Sequence, residues 1–216
     1  MGDKMTINVN QKLKDYIDNQ ILINYGDNIG GHGIDHIRQV IERSFELVEE
    51  FKLDVNLDIV YTIAAFHDIS YKDDPDRHEE LSAEYFMNDE GIKKFFSEEE
   101  INIIYEAIID HRASLEYEAR SVYGKIVSSA DREISVDNML KRSFLFQRDK
   151  HANENPTTNE IIEYSYKKLS SKYGKGGYAK MYYPDKKYLD FLSNMQSLIE
   201  DKNKFIEREK ELAKNL

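Results

Sequence analysis

An adjacent histidine and aspartate, His67-Asp68, close the most apolar helical stretch of the sequence, LDIVYTIAAFHD. A carboxylate in such surroundings needs partners, because burying an unpaired charge is very costly. Successive residues of a helix diverge by about 100°, so both side chains reach one ion most easily where the helix ends. The residues that follow, SYKDDP, indicate such an end. Taken alone, the pair fits equally well a satisfied core histidine beside a helix-terminal aspartate.

Two further polar residues lie at the ends of predicted helices. His36 lies in GHGIDHIRQV, just inside a helix that begins after Gly33, and Asp131 lies in SSADRE at the end of another helix. Cysteine is absent, so nitrogen and oxygen would have to bind any metal. Neutral imidazole together with carboxylate suits Mn²⁺, Fe²⁺, Ni²⁺, Co²⁺ or Zn²⁺. Asp68 has two carboxylate oxygens and is therefore suited to bridge two ions.

The apolar pattern predicts helices that position these residues. Apolar side chains recur at helical spacing from Ile34 to Phe51. Asn56 is a candidate cap of the helix that ends in the His-Asp pair. Ser97 with Glu100 and Thr157 with Glu160 are candidate capping boxes. No strand alternation is sustained anywhere, so the sequence predicts an all-α protein.

The pattern changes beyond residue 135. We expect a helical core over residues 1–135 that carries the metal site, and a C-terminal helical extension over residues 136–216 packed on that core. Other expected features are a first helical stretch over 10–24 and a fourth helix that opens at Asp76. Pro184 is expected to begin one long helix, with heptad-like apolar residues at Leu189, Leu192, Met195, Ile199 and Ile206.

Composition excludes some classes of function. The net charge is −11, which argues against binding long nucleic acid, because such proteins usually need a basic surface. No apolar run approaches the roughly 18 residues of a membrane span, and the N-terminus has no apolar signal core. We therefore expect a cytoplasmic protein without a membrane partner. A small phosphorylated substrate stays possible, since bound cations can reverse the local field.

The set His36, His67-Asp68 and Asp131 resembles the defining pattern of the HD superfamily of metal-dependent phosphohydrolases. AAFHDIS resembles the apolar segment that carries the family's HD pair, and SSADRE resembles its A-D segment. RHEELSAEYF and AIIDHRAS resemble histidine-bearing stretches of small bacterial members. The resemblance covers roughly residues 30–135.

The resemblance implies an HD-domain helical bundle with one or two divalent ions, of Mn, Fe, Ni, Co, Zn or Mg. It implies hydrolysis of a phosphate ester or anhydride, with a nucleotide or another small phosphorylated metabolite as substrate. There are departures: Gln39 stands where the family often has arginine, and Arg38 precedes it. The Glu-Asp pair of guanosine tetraphosphate hydrolases and the GYP motif of cyclic dinucleotide phosphodiesterases are missing, which disfavours both specialised substrates.

Further residues are candidates for the same site. His78 and His111 are expected to hold a second ion, to contact the transferred phosphate or to protonate the leaving oxygen. Lys72, shortly after the His-Asp pair, is a further catalytic candidate. His32, in a glycine-flanked loop, is interpreted as a surface or helix-entry residue.

The segment GKGGYA, residues 174–179, has the spacing of a dinucleotide fingerprint but follows a helix and not a strand, so that function is rejected. It is interpreted as a flexible helix-ending loop. The alternative is that residues 170–183 form a lid whose Lys175 and Lys180 contact a substrate phosphate.

A different class of function also fits the metal-ligand pattern. The chain could be a non-catalytic metal-binding helical module that senses or docks, and the long C-terminal helix could then pair two subunits in a homodimer. A hydrolysis assay separates this class from the enzyme.

Overall fold

The computed structural model describes residues 8–27 and 32–216. The predicted all-α class is confirmed, because these residues form ten α-helices and no strand. The helices are α1 (Gln11–Tyr16), α2 (Ile34–Glu50), α3 (Leu57–Phe66), α4 (His78–Asn88), α5 (Glu98–Ile109), α6 (Val122–Ala130), α7 (Val136–Lys150), α8 (Thr158–Tyr173), α9 (Lys186–Glu200) and α10 (Lys202–Ala213). A π-helical turn, Ile17–Ile21, and a 3-10 turn, Leu22–Asp27, extend α1 beyond the expected stretch.

The chain folds into two compact units. The first comprises the described residues up to Asp131 together with the short segment Lys180–Tyr183. The second comprises Arg132–Ala179 and Pro184–Leu216, and contains α7 to α10.

Side-chain caps determine where several helices begin. The Asn56 side chain accepts a hydrogen bond from the Asp58 amide at the start of α3. Both expected capping boxes are confirmed, Ser97 with Glu100 at α5 and Thr157 with Glu160 at α8. Each cap pairs backbone donors that the helix itself leaves free.

The centre of the first unit is α3. Every residue from Ile59 to Phe66 is buried, because α3 packs against α2, α5 and α6. A helix that is apolar on all sides is expected at such a position. Each of the three surrounding helices has one end near the end of α3, where His67 and Asp68 lie.

The expectation of one long C-terminal helix is wrong. The helix stops at Glu200, and Asp201 accepts a hydrogen bond from the Lys204 amide and caps α10. Met195 and Ile199 of the expected apolar face are buried, but Leu189 is 51% exposed, and Tyr188 and Phe191 are buried instead. The break lets Phe205, which is fully buried, face the core of the second unit.

The fourth helix begins two residues later than expected. The amides of Asp76 and Arg77 bond to the side chain and carbonyl of Asp74 and form a tight turn around Pro75. The turn makes His78 the first residue of α4.

Among the helices of the described residues, none combines the length and apolar character needed to traverse a lipid bilayer.

Candidate metal centre

The end of α3 places His67 and Asp68 in the core of the first unit. The His67 amide still donates to the Ile63 carbonyl, and the chain then turns, with the Tyr71 amide bonded to the Asp68 carbonyl. The exposed fraction is 0% for His67 and 1% for Asp68. The turn brings His67 Nε2 to 3.3 Å from Asp68 Oδ2, although neighbouring helix residues ordinarily point apart.

Two other helix ends complete a first group of metal-ligating atoms. His36 lies in the first turn of α2, and Asp131 is the residue that ends α6. His36 Nε2 lies 3.1 Å from Asp131 Oδ1 and 3.6 Å from Asp68 Oδ2, and His67 Nε2 lies 3.8 Å from Asp131 Oδ1. One atom from each of the four residues lies within 4.8 Å of the others. The structure thus brings together all four residues proposed from the sequence as metal ligands.

A second group uses the other oxygen of Asp68. His78, at the start of α4, and His111, just after α5, have Nε2 atoms 3.2 Å and 3.5 Å from Asp68 Oδ1. The two Nε2 atoms lie 3.1 Å apart. Asp68 therefore belongs to both groups, with Oδ2 facing the first and Oδ1 facing the second.

Backbone carbonyls fix which ring nitrogens face the site. The Nδ1 atoms of His67, His78 and His111 lie 2.8, 2.8 and 2.6 Å from the carbonyl oxygens of Ala64, Pro75 and Ile108. Each Nδ1 must donate its proton there, which leaves Nε2 with a lone pair in the neutral ring. Two such lone pairs 3.1 Å apart repel each other unless a proton or a cation lies with them.

The donor chemistry fits a divalent cation. Within the described part of the chain, the buried Nε2 atoms of His36 and His67 have no hydrogen-bond partner of acceptable geometry. Buried polar atoms are normally paired, so these two nitrogens indicate a group that would bind between them. Imidazole nitrogen with carboxylate oxygen suits the first-row divalent metals.

The charges of the cluster are strongly coupled. Burial alone would raise the pKa of Asp68, but the surrounding histidines, His67 first, hold that pKa well below its usual range. Burial would likewise lower the pKa of His36, yet the carboxylates of Asp131 and Asp68 raise it to about 9. Protons and a metal ion would therefore compete for the same nitrogen.

The two histidines of the second group differ from each other. Burial and the nearby charge of His111 lower the pKa of His78 to about 4. Burial opposes protonation of His111 too, but its hydrogen bond to Asp68 and the negative charges of Asp68 and Asp131 together outweigh burial and raise the pKa of His111. Without metal, the pair therefore favours a proton on His111 over one on His78.

His32 is a residue of the site that sequence reasoning missed. Its Nδ1 lies 2.6 Å from Asp68 Oδ2, and its ring stacks on Tyr71 with centroids 3.6 Å apart. The side chain of His32 is only 14% exposed. His32 precedes α2, so helical spacing does not relate it to His36, and no local pattern indicated its contact with Asp68.

An ion pair holds the second group in place. Arg112, next to His111, lies 2.7 Å from Glu79, next to His78. The same guanidinium donates to the Asp76 carbonyl at 2.8 Å. The start of α4 and the end of α5 are therefore bonded beside the two histidines, and nothing in the local sequence pattern indicated this pair.

The three predicted lysines lie in different surroundings. Lys72 is exposed on the turn that follows Asp68. Lys175 is 86% exposed and forms an ion pair with Glu200 at 2.8 Å in the second unit. Lys180 Nζ donates to the Tyr117 carbonyl at 2.6 Å in the first unit. Their roles in catalysis and substrate binding stay predictions.

Comparison with known proteins agrees with this geometry. Residues 33–134 match the family model of the HD domain, so the predicted resemblance is confirmed for a segment that contains both groups. A similar solved structure is that of a predicted HD superfamily hydrolase from an uncultured Thermotogales bacterium. It is 22% identical, the match covers 74% of this chain and 84% of that chain, and the TM-score is 0.45. No curated protein matches the chain.

Proposed function

We propose that the HD domain formed by residues 33–134 makes this chain a metal-dependent phosphohydrolase that hydrolyses a phosphate ester or anhydride. The substrate class that we propose is a nucleotide or another small phosphorylated metabolite. HD domains are typically those of metal-dependent hydrolases, and the reaction at phosphorus and the substrate class are the further steps of the proposal.

One observation supports this function above the others. Five of the six histidines in the sequence have a ring nitrogen within 3.6 Å of an oxygen of Asp68. Structural histidines have no reason to gather around one buried carboxylate. A site that holds one or two divalent ions needs this arrangement, because each ion requires several neutral nitrogens and a shared anionic oxygen.

The two groups of side chains show which residues would hold each ion. His36, His67, Asp68 and Asp131 would bind the first, and Asp68, His78 and His111 are suited to a second. Divalent ions bound there would neutralise phosphoryl oxygens and supply water of lowered pKa for in-line attack.

The charge of the first unit explains why the reaction would need cations. That unit has 28 Asp and Glu residues and only 14 Lys and Arg residues. A phosphorylated substrate would be repelled by this surplus unless positive charge were concentrated at the site. Lys72, exposed four residues after Asp68, could add a side-chain cation for a phosphate oxygen.

Where the second group holds no ion, His78 and His111 would handle protons. Each Nδ1 is committed to a backbone carbonyl, so proton exchange takes place at Nε2. A proton held between the two Nε2 atoms, which lie 3.1 Å apart, would then be available to a leaving oxygen that comes within hydrogen-bond reach.

A hydrolysis screen tests the proposal. The purified protein would be assayed against nucleoside mono-, di- and triphosphates and simple phosphomonoesters, with Mn²⁺, Co²⁺, Ni²⁺ or Mg²⁺ added. We expect metal-dependent phosphate or pyrophosphate release that is abolished in Asp68→Ala. The matched control is Asp137→Ala, an aspartate of the second unit that pairs with Arg208, which should keep full activity.

The same screen decides between the enzyme and the non-catalytic module. Tight metal binding without turnover on any substrate would overturn the phosphohydrolase and favour a sensing or docking protein. The break between α9 and α10 removes the long continuous helix on which a paired dimer was argued. Activity that survives Asp68→Ala would show a contaminating phosphatase.

A further inference from the structure

We propose that the segment Lys180–Tyr183, here called the strap, positions Asp131 as a metal ligand by bonding to Ser129. This inference rests on the proposed metal site. The strap lies 49 or more residues beyond Asp131 in the chain, yet it belongs to the same compact unit. Its role in metal binding would be to hold the end of α6 without contacting an ion.

The contact with α6 consists of two backbone donors and one buried hydroxyl. The amides of Tyr182 and Tyr183 each lie 3.2 Å from Ser129 Oγ. Ser129 is fully buried and stands two residues before Asp131. The hydroxyl thus accepts from both amides, which would otherwise lose hydrogen bonds in a largely buried place.

The position of Asp131 in the chain explains the need for such a contact. Asp131 is the last residue of the first unit before the chain enters the second. On its N-terminal side, the Asp131 amide bonds to the Val127 carbonyl and continues α6. On its C-terminal side the chain leaves the unit, and the bonds between Ser129 and the strap hold the end of α6 within the first unit.

The strap also reaches the loop that follows His111. Lys180 Nζ donates to the Tyr117 carbonyl at 2.6 Å, and the Ala119 amide donates to the Tyr182 hydroxyl at 2.9 Å. The Tyr117 hydroxyl in turn donates to Asp110 at 3.0 Å. One short segment therefore links the loop beside His111 with the end of α6.

Aromatic contacts also join the strap to the end of α2 and to a second point on α6. The ring of Tyr183 packs on Phe51 at the end of α2, with centroids 5.2 Å apart. Lys125 Nζ in α6 lies 5.7 Å from the centre of the Tyr182 ring. These contacts hold the strap when Ser129 is changed, so the hydroxyl can be tested without detaching the whole segment.

The first test measures metal binding by Ser129→Ala. We expect the dissociation constant of Mn²⁺ or Co²⁺ to rise about tenfold, within the range found when outer partners of metal ligands are removed. The control is Ser44→Ala, which removes another fully buried hydroxyl of the first unit, one bonded only within α2 to the Val40 carbonyl. Melting temperatures of both metal-free variants check that the fold is kept.

A double-mutant cycle separates positioning from general damage. If the strap acts through Asp131, Ser129→Ala should change metal affinity in the parent protein but not in an Asp131→Asn background. Equal effects in both backgrounds would overturn the proposal. The combined variant Lys180→Met with Tyr182→Phe, which detaches the strap from residues 117–119 only, serves if Ser129→Ala fails to fold. It should weaken binding in the same direction, and unchanged affinity would then count against the strap.

The series also separates this inference from the proposed function. If the parent protein binds no divalent metal, the metal site and the strap proposal fall together. If the parent binds metal and Ser129→Ala binds it equally well, only the strap proposal falls.

Discussion

Asp68 in the first unit and Glu209 in the second are both carboxylates buried in a core, and the two are neutralised in opposite ways. In the first unit, Asp68 is 1% exposed and faces five histidines, which hold its pKa well below the usual range. In the second unit, Glu209 is 0% exposed and burial raises its pKa to about 8. Its neighbour is the Ser165 hydroxyl, 2.6 Å away, and Ser165 in turn bonds to Ser143.

The difference shows which of the two cores favours a bound cation. A buried carboxylate either ionises beside positive partners or takes up a proton. Asp68 stays charged and attracts cations, whereas Glu209 becomes a neutral hydrogen-bonding group at neutral pH. The balance of charges differs as well: the second unit has 16 Lys and Arg against 13 Asp and Glu, and the first has twice as many acids as bases. Both groups of candidate metal ligands thus belong to the first unit.

Changing each carboxylate to its amide tests this contrast most strongly. Asp68→Asn removes an anionic oxygen from both groups, so we expect loss of both metal equivalents and of all hydrolysis. The fall in affinity should exceed the roughly 100-fold upper range for outer partners. Metal titration by calorimetry measures it, with Glu209→Gln as the matched control that should bind metal normally. Normal metal content in Asp68→Asn would refute the shared-ligand arrangement.

The four candidate ligands of the first group could be proposed from the sequence, and for a physical reason. His36, His67 and Asp131 lie at the ends of predicted helices, and their order with Asp68 resembles the HD pattern, which indicates a common site. The contact of His32 with Asp68 spans 36 residues and arises from the packing of the turn after α3. The break at Asp201 was missed because aspartate occurs inside helices as well as at their starts, although here it caps α10 through the Lys204 amide.

The second group is tested by His78→Ala and His111→Ala. Because their Nε2 atoms share Asp68 Oδ1 and are 3.1 Å apart, we expect each variant to lose one metal equivalent and keep the first. Activity should then depend on added ion. Full metal content with a lowered kcat would instead assign the pair to proton transfer or phosphate contact. Full metal content with full activity in both variants would remove them from the site.

A smaller effect is expected from His32→Ala. The Nδ1 of His32 lies 2.6 Å from Asp68 Oδ2, so its loss removes a contact that orients the oxygen expected to bind the first ion. Metal affinity should fall about tenfold, with unchanged stoichiometry. The control is His151→Ala, which removes the sixth histidine, stacked on Tyr164 in the second unit with centroids 4.1 Å apart. Equal affinities of the two variants would show that His32 only covers the site.

A last prediction concerns stability against pH, and it belongs to the second unit. The pKa of Glu209 is raised to about 8 in the folded protein from 4.5 in the unfolded chain. A group with a raised folded pKa contributes stability that is fully present below about pH 4.5 and is lost as pH rises through about 8. Over this window the free energy of unfolding should fall by up to about 1.4 kcal/mol per pH unit.

Glu209→Gln removes that dependence, because glutamine keeps the shape and carries no charge at any pH. The free energy of unfolding in urea would be measured at pH 5, 7 and 9. The value for the variant should rise relative to that of the parent protein as pH rises, with the largest difference at pH 9. The difference between the two proteins cancels the titration of the histidine cluster, which both contain. A constant difference across the three pH values would mean that Glu209 is ionised in the fold, and the contrast with Asp68 would then fail.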